Sequence, residues 1–239
     1  MSAVAELSLP AVDVLWEDLG LGGVPFPLEV PGHGETVGER ARIRAAVYGE
    51  LELRGLGVDE LEGVLGLLAR PEIGVDLVGR LDPEGGEPVR AVAVARGRRG
   101  MRAVQRNRGV ELSEVRDTAV VASIVELLPA QRPGPGRSIT LPVAALEARR
   151  PVTHRVERQL VAAIMDRPVA RVGQLGVMVR DDRGGVRRLP GIAWFDTDQG
   201  RYATTIRRGG DGADWTTLFP ADNARLAHRL SDMIAAVRR

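Results

Sequence analysis

The sequence has no cysteine, and all 33 of its basic residues are arginine. The absence of cysteine excludes disulfides, iron–sulfur clusters, cysteine-ligated zinc and thiol nucleophiles. The absence of lysine excludes Schiff-base chemistry and the lysine of a phosphate-binding P-loop. With three Trp, two Tyr and three Phe, a stacking platform for single-stranded nucleic acid is not expected. The 33 arginines are balanced by 32 acidic residues, which gives a net charge of +1. This charge indicates neither nucleic acid nor an anionic membrane as a partner.

What is present is the composition of an ordinary globular protein. Hydrophobic residues make up 44% and charged residues 27% of the 239 residues, which predicts one large folded domain or two small ones. The first residues have neither a basic region nor an uninterrupted apolar core, so no signal peptide is expected. The most apolar stretch, 119–128, is too short to cross a bilayer. These features predict a soluble cytosolic protein with no membrane partner.

Residues 1–71 carry the start signals of helices. Ser8 is a preferred N-cap residue, and Pro10 follows it in the first turn, where a proline loses no needed donor. Thr36 and Glu39 have the spacing of a capping box, in which each side chain accepts a hydrogen bond from the other residue's backbone. This N-terminal part is therefore expected to form three helices, over 8–19, 36–54 and 59–70.

From residue 75 the pattern changes to short apolar or alternating stretches between glycine-rich turns. In the first half, 75–128, they predict a three-stranded meander followed by a helix. Residues 129–142 are rich in proline and are expected to form a linker. The second half, 150–237, repeats this order after an initial helix. The predicted strands are 75–81, 88–96, 101–106, 138–141, 172–179, 187–195, 202–207 and 215–219, and the predicted helices are 117–128, 153–165 and 222–237.

Two copies of a meander and a helix predict an α+β fold. We expect one domain over 1–239, with a central antiparallel β-sheet made of two quasi-symmetric meander-plus-helix halves and covered by helices. The repeat is one of element order, because the halves share no convincing residue identity.

No motif predicts a catalytic, metal or cofactor site. Asp196 and Asp198 form a carboxylate pair, but Gly200 follows them between two predicted strands, a pattern typical of a hairpin turn. His33 lies alone in a glycine-rich turn, and no G-x-S-x-G motif provides a nucleophile. Residues 134–138 resemble a phosphate-binding loop only in their glycines, because the lysine is missing.

Two groups of residues leave a structural and a functional interpretation open. Arg98 and Arg99 belong to a run of arginines at a predicted hairpin tip. They are either solvated charges that discourage edge-to-edge aggregation or contacts to an acidic partner surface. Trp194 and Trp215 belong to an aromatic group near the end of the chain, which either packs in the core or forms an exposed hot spot.

Eight short stretches form an ordered set over nearly the whole chain. They include LWEDLG, PFPL, GHGET and WFDTDQGRY. The stretches lie at residues 7–9, 15–20, 25–28, 32–40, 55–56, 67–71, 194–202 and 220–222. No single stretch is specific, but the ordered set resembles the EspG family, the specificity chaperones of actinobacterial type VII (ESX) secretion.

The resemblance implies a central antiparallel sheet with quasi-two-fold halves and helical bundles. It also implies a cytosolic protein that is not an enzyme and needs no cofactor. Members of the family bind PE–PPE heterodimers, and here the cargo would be such a helical pair or a related ESX substrate. They hold the tip of the PPE protein, whose exposed apolar surface would otherwise self-associate. A homodimer formed through an empty cargo surface is left open.

By the same resemblance, the sheet and the C-terminal helices contact the cargo, which corresponds here to 172–207, 153–165 and 222–237. Residue type and location within these segments favour as apolar contacts Trp194, Trp215, Leu226, Leu230 and Met233. Arg98 and Arg99 are expected to form a charged rim.

Two other functions compete with this interpretation. A hydrolase would use scattered Asp, Glu and His residues in a deep polar pocket, and the missing catalytic motifs argue against it. An arginine-mediated nucleic-acid-binding protein would bind less tightly as the salt concentration rises. The balanced charge and the few aromatic residues argue against that function.

Overall fold

The computed structural model describes residues 2–107, 109–147, 154–181 and 184–237. Its helices and strands form an α+β fold with a large antiparallel sheet, which confirms the predicted fold class. Among the described residues, no helix is long and apolar enough to cross a membrane. The chain divides into a first compact unit, Met1–Leu77, Glu87–Ile124 and Met178–Arg187, and a second, Val78–Gly86, Val125–Val177 and Arg188–Arg239.

The first half of the chain has five described strands in the order β1-β5-β4-β3-β2. Its elements are β1 (Ser2–Ser8), α1 (Leu9–Asp18), α2 (Val37–Leu53), α3 (Val58–Ala69), β2 (Ile73–Arg80), β3 (Val89–Arg96), β4 (Arg99–Arg106), β5 (Gly109–Arg116) and α4 (Val120–Val125). The three predicted N-terminal helices and the three meander strands are confirmed. β1 and β5 were not predicted, and the helix predicted over 117–128 is a 3-10 turn followed by the short α4.

The second half orders its main strands β7-β9-β10-β11-β6, with β8 paired to β7. Its elements are β6 (Ile139–Pro142), α5 (Val143–Glu147), α6 (Arg155–Met165), β7 (Val169–Arg180), β8 (Val186–Arg188), β9 (Ile192–Thr197), β10 (Gly200–Arg208), β11 (Asp214–Pro220) and α7 (Asn223–Val237). The single strand predicted over 187–195 is wrong. It is two strands, separated at Pro190, whose nitrogen cannot donate to a ladder. The helix start predicted at Thr153 lies outside the described residues.

The two halves repeat one topology. In each, an initial strand is followed by helices, then by a meander of four strands, and last by a helix. The initial strand pairs antiparallel with the last strand of the meander, β1 with β5 and β6 with β11. The predicted repeat of element order is therefore present, but it begins at β1 and β6 rather than at residues 75 and 150.

Three helices begin at residues whose side chains cap them, whereas α3 follows Gly57, which forms no side-chain cap hydrogen bond. The hydroxyl of Ser8 accepts a hydrogen bond from the N–H of Ala11 at 3.3 Å at the start of α1. At α2, Thr36 and Glu39 form both hydrogen bonds of the capping box. At α7, the carboxylate of Asp222 accepts from the N–H of Arg225 at 2.8 Å. Local side-chain chemistry thus explains where these three helices begin.

Charged side chains join α1 to α2 in the first unit. Arg40 of α2 donates to the carboxylates of Asp13 and Glu17 of α1, and to the carbonyl oxygen of His33 at 3.0 Å. The backbone N–H of His33 donates to Asp13 at 2.8 Å. Burial raises the pKa of the Asp13 carboxyl, but the hydrogen bonds from Arg40 and His33 outweigh burial and hold this pKa below its ordinary value.

We expect ionised Asp13 to stabilise the fold at neutral pH. Because the folded pKa of Asp13 lies below the unfolded one, its contribution is complete above the ordinary value of 3.8 and is lost as the pH falls through the folded pKa. Asp13→Asn should lower the free energy of unfolding by about 1–3 kcal/mol at neutral pH. Urea unfolding from neutral pH to about pH 3 checks this, because the gap between the two proteins should shrink in acid.

Glu60→Gln is the matched control for Asp13→Asn, since Glu60 is exposed on α3 and forms no ion pair in the described part of the chain. Its effect should stay within about 0.5 kcal/mol. A gap between wild type and Asp13→Asn that does not change with pH would contradict the stabilising role of the Asp13 carboxylate.

Candidate partner-binding surface

The strand register of the second unit separates its sheet into two faces. Directly opposite residues on antiparallel neighbours point to the same face, and successive residues alternate. Phe195 of β9 is opposite Tyr202 of β10, and the adjacent pair, Trp194 and Ala203, lies on the other face. Val161 of α6 packs in one cluster with Phe195 and Tyr202, so we name their side the α6 face.

The opposite side is named the α7 face, because α7 covers it. Phe219 of β11 is opposite Ala203 and so belongs to this face. The guanidinium groups of Arg225 and Arg229 on α7 lie 5.5 and 5.3 Å from the centre of the Phe219 ring. Phe219 itself is buried beneath them.

Three of the predicted contact residues belong to the packed core. Trp194, Leu226 and Leu230 each have 0% of their surface exposed. The indole of Trp194 lies against two glycines, since a Cβ at Gly79 or Gly173 would come within 3.2 or 2.9 Å of its ring. A side chain packed in this way offers no surface to a partner. The expectation that these three residues form apolar surface contacts is therefore corrected, and they are core residues.

A buried polar network holds the start of α7 to the sheet. Arg201 and Asp196, both fully buried, form a bidentate pair with N–O distances of 2.6 and 3.0 Å. Arg201 also donates to the carbonyl oxygen of Pro129 at 3.0 Å and to the side chain of Asn223. Its guanidinium lies 4.8 Å from the centre of the Trp194 ring. Asp196, expected in a turn, is thus a strand residue whose carboxylate serves a structural ion pair.

The α6 face is only partly covered. By register, Val172 of β7 and Ile206 of β10 lie on this face, and they are 48% and 52% exposed. On α6, Val156 and Leu160 are one turn apart and are 60% and 42% exposed, whereas Val161 is buried. We name these four exposed side chains, Val156, Leu160, Val172 and Ile206, the open apolar set. They belong to α6 and to the sheet face on which α6 packs, and exposed large apolar side chains mark a candidate contact surface.

The other predicted contact residues have accessible side chains. Trp215 is partly exposed, and its Nε1 donates to the carboxylate of Asp211 at 3.3 Å. Met233 is partly exposed on α7. Arg98 and Arg99 are exposed at the tight turn between β3 and β4, which confirms the predicted short hairpin. The seven predicted residues are therefore divided between the two units and between core and surface.

The open apolar set was not predicted from the sequence, although α6 carries a signal for it. At about 100° per residue, Val156, Leu160, Ile164 and Val161 of α6 span one arc of about 140° around the helix. Val161, at one edge of this arc, is buried, whereas Val156 and Leu160, toward the other edge, are exposed. An apolar arc wider than the part that packs is therefore the sequence feature that indicates α6.

Comparison with known proteins identifies the family and the fold. The model of the EspG family matches residues 8–232. The chain belongs to the EspG family. No curated protein matches this EspG chain. A solved structure of the Mycobacterium tuberculosis type VII secretion system chaperone EspG5, in complex with a PE25–PPE41 dimer, superposes with a TM-score of 0.71. The alignment covers 95% of this chain and 94% of that one at 15% identity, a likeness that establishes the shared fold.

Proposed function

We propose that this EspG protein is a cytosolic chaperone that binds a PE–PPE-type helical heterodimer for type VII secretion. The open apolar set carries this proposal, because four large apolar side chains are 42–60% exposed on α6 and the sheet face that it covers. The EspG5 relative of the same fold was solved with a PE25–PPE41 dimer. In this function no bond is made or broken, and binding keeps the cargo from aggregating.

Burial of apolar surface supplies the binding energy in this proposal. Each Å² of apolar surface removed from water contributes about 25 cal/mol, and stable interfaces bury about 1,600 Å² in total. Leu160 and Ile206 sit on elements whose other sides are already packed, so binding immobilises little additional backbone. Trp215, Met233, Arg98 and Arg99 remain proposed contacts that supplement the open apolar set.

The proposal is tested by placing a charge within the open apolar set. Leu160→Asp and Ile206→Asp each force a carboxylate into the interface, and should weaken binding of a co-expressed PE–PPE pair at least about tenfold. The readout is the amount of cargo that co-elutes with the chaperone in size-exclusion chromatography. Wild type should co-elute with soluble cargo, and the two variants should leave the cargo aggregated.

Leu53→Asp is the matched control, because Leu53 is 90% exposed on α2 in the first unit. This variant should retain the cargo as wild type does, and all variants should keep the wild-type thermal midpoint. Cargo that aggregates equally with and without the wild-type chain would overturn the chaperone function. Equal loss of binding in Leu53→Asp would overturn the assignment to the open apolar set.

A hydrolase is less well supported by the described residues. Hydrogen bonds from Gln199 and Arg167 lower the pKa of Asp198, and the pKa of Asp13 is lowered as well, whereas a general acid needs a raised pKa. No group of three or more His, Asp or Glu among the described residues is placed to hold a metal ion. A general nucleic-acid binder is disfavoured by the net charge of +1.

A further inference from the structure

Three arginines lie side by side at one end of the first unit's sheet. Arg96, the last residue of β3, is directly opposite Arg99, the first residue of β4. Arg99 is in turn directly opposite Arg116, the last residue of β5. All three are exposed and point to the same face of the sheet, and Arg98 occupies the turn beside them. We name Arg96, Arg99 and Arg116 the arginine row.

Repulsion within the arginine row destabilises the sheet. Like charges directly opposite one another on neighbouring strands are destabilising. In the described part of the chain, none of the three forms an ion pair, although Glu114 lies two residues before Arg116 on the same face. Among the described residues, the one side-chain hydrogen bond of the row is a long one, 3.5 Å from Arg96 to the carbonyl oxygen of Arg70.

The row is nevertheless held in place by the elements around it. Arg99 lies against α3, with its Nη2 3.7 Å from the position that a Cβ of Gly63 would take. The three backbone positions are fixed by the β3-β4 and β4-β5 ladders. Three like charges at fixed backbone positions, exposed and without an ion pair among the described residues, oppose the stability of the sheet. Proteins keep such unfavourable arrangements mainly at functional sites.

We propose that the arginine row binds an acidic helical segment of a protein partner. Neighbouring strands are about 4.8 Å apart, and residues three or four positions apart on a helix are separated by about 5–6 Å. Glutamates at that spacing therefore match the three guanidinium groups one to one. The planar fork of arginine bonds a carboxylate through two parallel N–H groups, which adds specificity to the attraction.

An acidic protein segment fits this site better than nucleic acid. β3, β4, β5 and α3 contain no aromatic residue on which a base could stack. The chain as a whole has a net charge of only +1, so no broad positive field supports binding of a long polyanion. The inference goes beyond the proposed function, in which Arg99 is only a supplementary cargo contact. It concerns carboxylate recognition in the first unit, and its test uses neither the cargo nor the open apolar set.

The test uses the full chain and a fluorescein-labelled helical peptide of about 15 residues with glutamates three and four positions apart. Wild type should bind this peptide and not its glutamine counterpart. The triple variant Arg96→Ala, Arg99→Ala, Arg116→Ala should raise the Kd at least about tenfold, measured by fluorescence anisotropy. The matched control, with Arg42, Arg187 and Arg207 each changed to Ala, removes the same charge from exposed positions and should keep the wild-type Kd.

A thermal melt of the same variants separates binding from structure. Relief of repulsion should leave the midpoint of the arginine-row variant unchanged or higher, so a lower midpoint would show that the row is structural and would overturn the proposal. No peptide binding by wild type, or equal loss in the control variant, would overturn it as well. Tighter binding of a single-stranded DNA of about 20 nucleotides than of the peptide would assign the row to nucleic acid instead.

Discussion

Replacing Arg201 by methionine is expected to lower the free energy of unfolding by about 3–5 kcal/mol, because it leaves a buried carboxylate without its main partner. Among the described residues, Asp196 would keep one ion-pair partner, Arg171, whose Nη1 is 3.6 Å away. The hydrogen bonds from Arg201 to Pro129 and Asn223 would be lost at the same time. Urea unfolding of Arg201→Met against wild type measures the change.

Two further variants make the Arg201 prediction specific. Arg207→Met removes an exposed arginine from the same strand, β10, and should change stability by no more than about 0.5 kcal/mol. Adding Asp196→Leu to Arg201→Met removes the orphaned charge and should restore part of the loss. If the double variant were less stable than Arg201→Met, the unpaired carboxylate of Asp196 would not be the cause of the lost stability.

Leu230→Ala is expected to cost about 2–5 kcal/mol of stability, because it opens a cavity in a packed core. Leu230 is fully buried on α7, whereas Met233, one turn further along the same helix, is partly exposed. Met233→Ala should therefore have a much smaller effect on the thermal midpoint. Both variants truncate an apolar side chain on α7, and the two positions differ mainly in how deeply the side chain is buried.

The Leu230 and Met233 variants also discriminate core from interface. If Leu230 were a surface contact, Leu230→Ala would leave the melting curve unchanged and weaken only the binding of cargo. Equal destabilisation by both variants would contradict the orientation of α7 in which Leu230 is buried and Met233 is partly exposed. A midpoint that falls for Leu230→Ala alone agrees with that orientation.

The parts of the fold that could be predicted are those with local signals. Ser8, Thr36 and Asp222 are residue types that predict a helix start. In the structure, the side chain of each accepts a hydrogen bond from a backbone N–H in the first turn of its helix. β1 was missed because it becomes a strand only through pairing with β5, more than a hundred residues away. β5 was missed because its alternation is short. Glu111 falls between Val110 and Leu112 as in a strand, but Ser113 and Glu114 then place two polar residues in a row.

The proposed binding surface lies within the segments favoured by the sequence, but its residues differ from those that the sequence favoured. Alternation along β9 shows that Trp194 and Phe195 point to opposite faces, but it does not show which face is covered. That choice depends on where α6 and α7 dock, which is a long-range property. Trp194 was therefore assigned to the surface by residue type, while Val172 and Ile206, with less conspicuous side chains, occupy exposed positions.

The two units do not coincide with the two halves of the chain, so a cut between the halves divides both units. Each unit takes in a short piece of the opposite half of the chain, Met178–Arg187 in the first and Val78–Gly86 in the second. Fragments produced by cleavage within 129–142 would each lack a piece of their own unit. We therefore expect neither fragment to fold on its own, so that a deletion of either half would cause misfolding as well as the loss of any binding site.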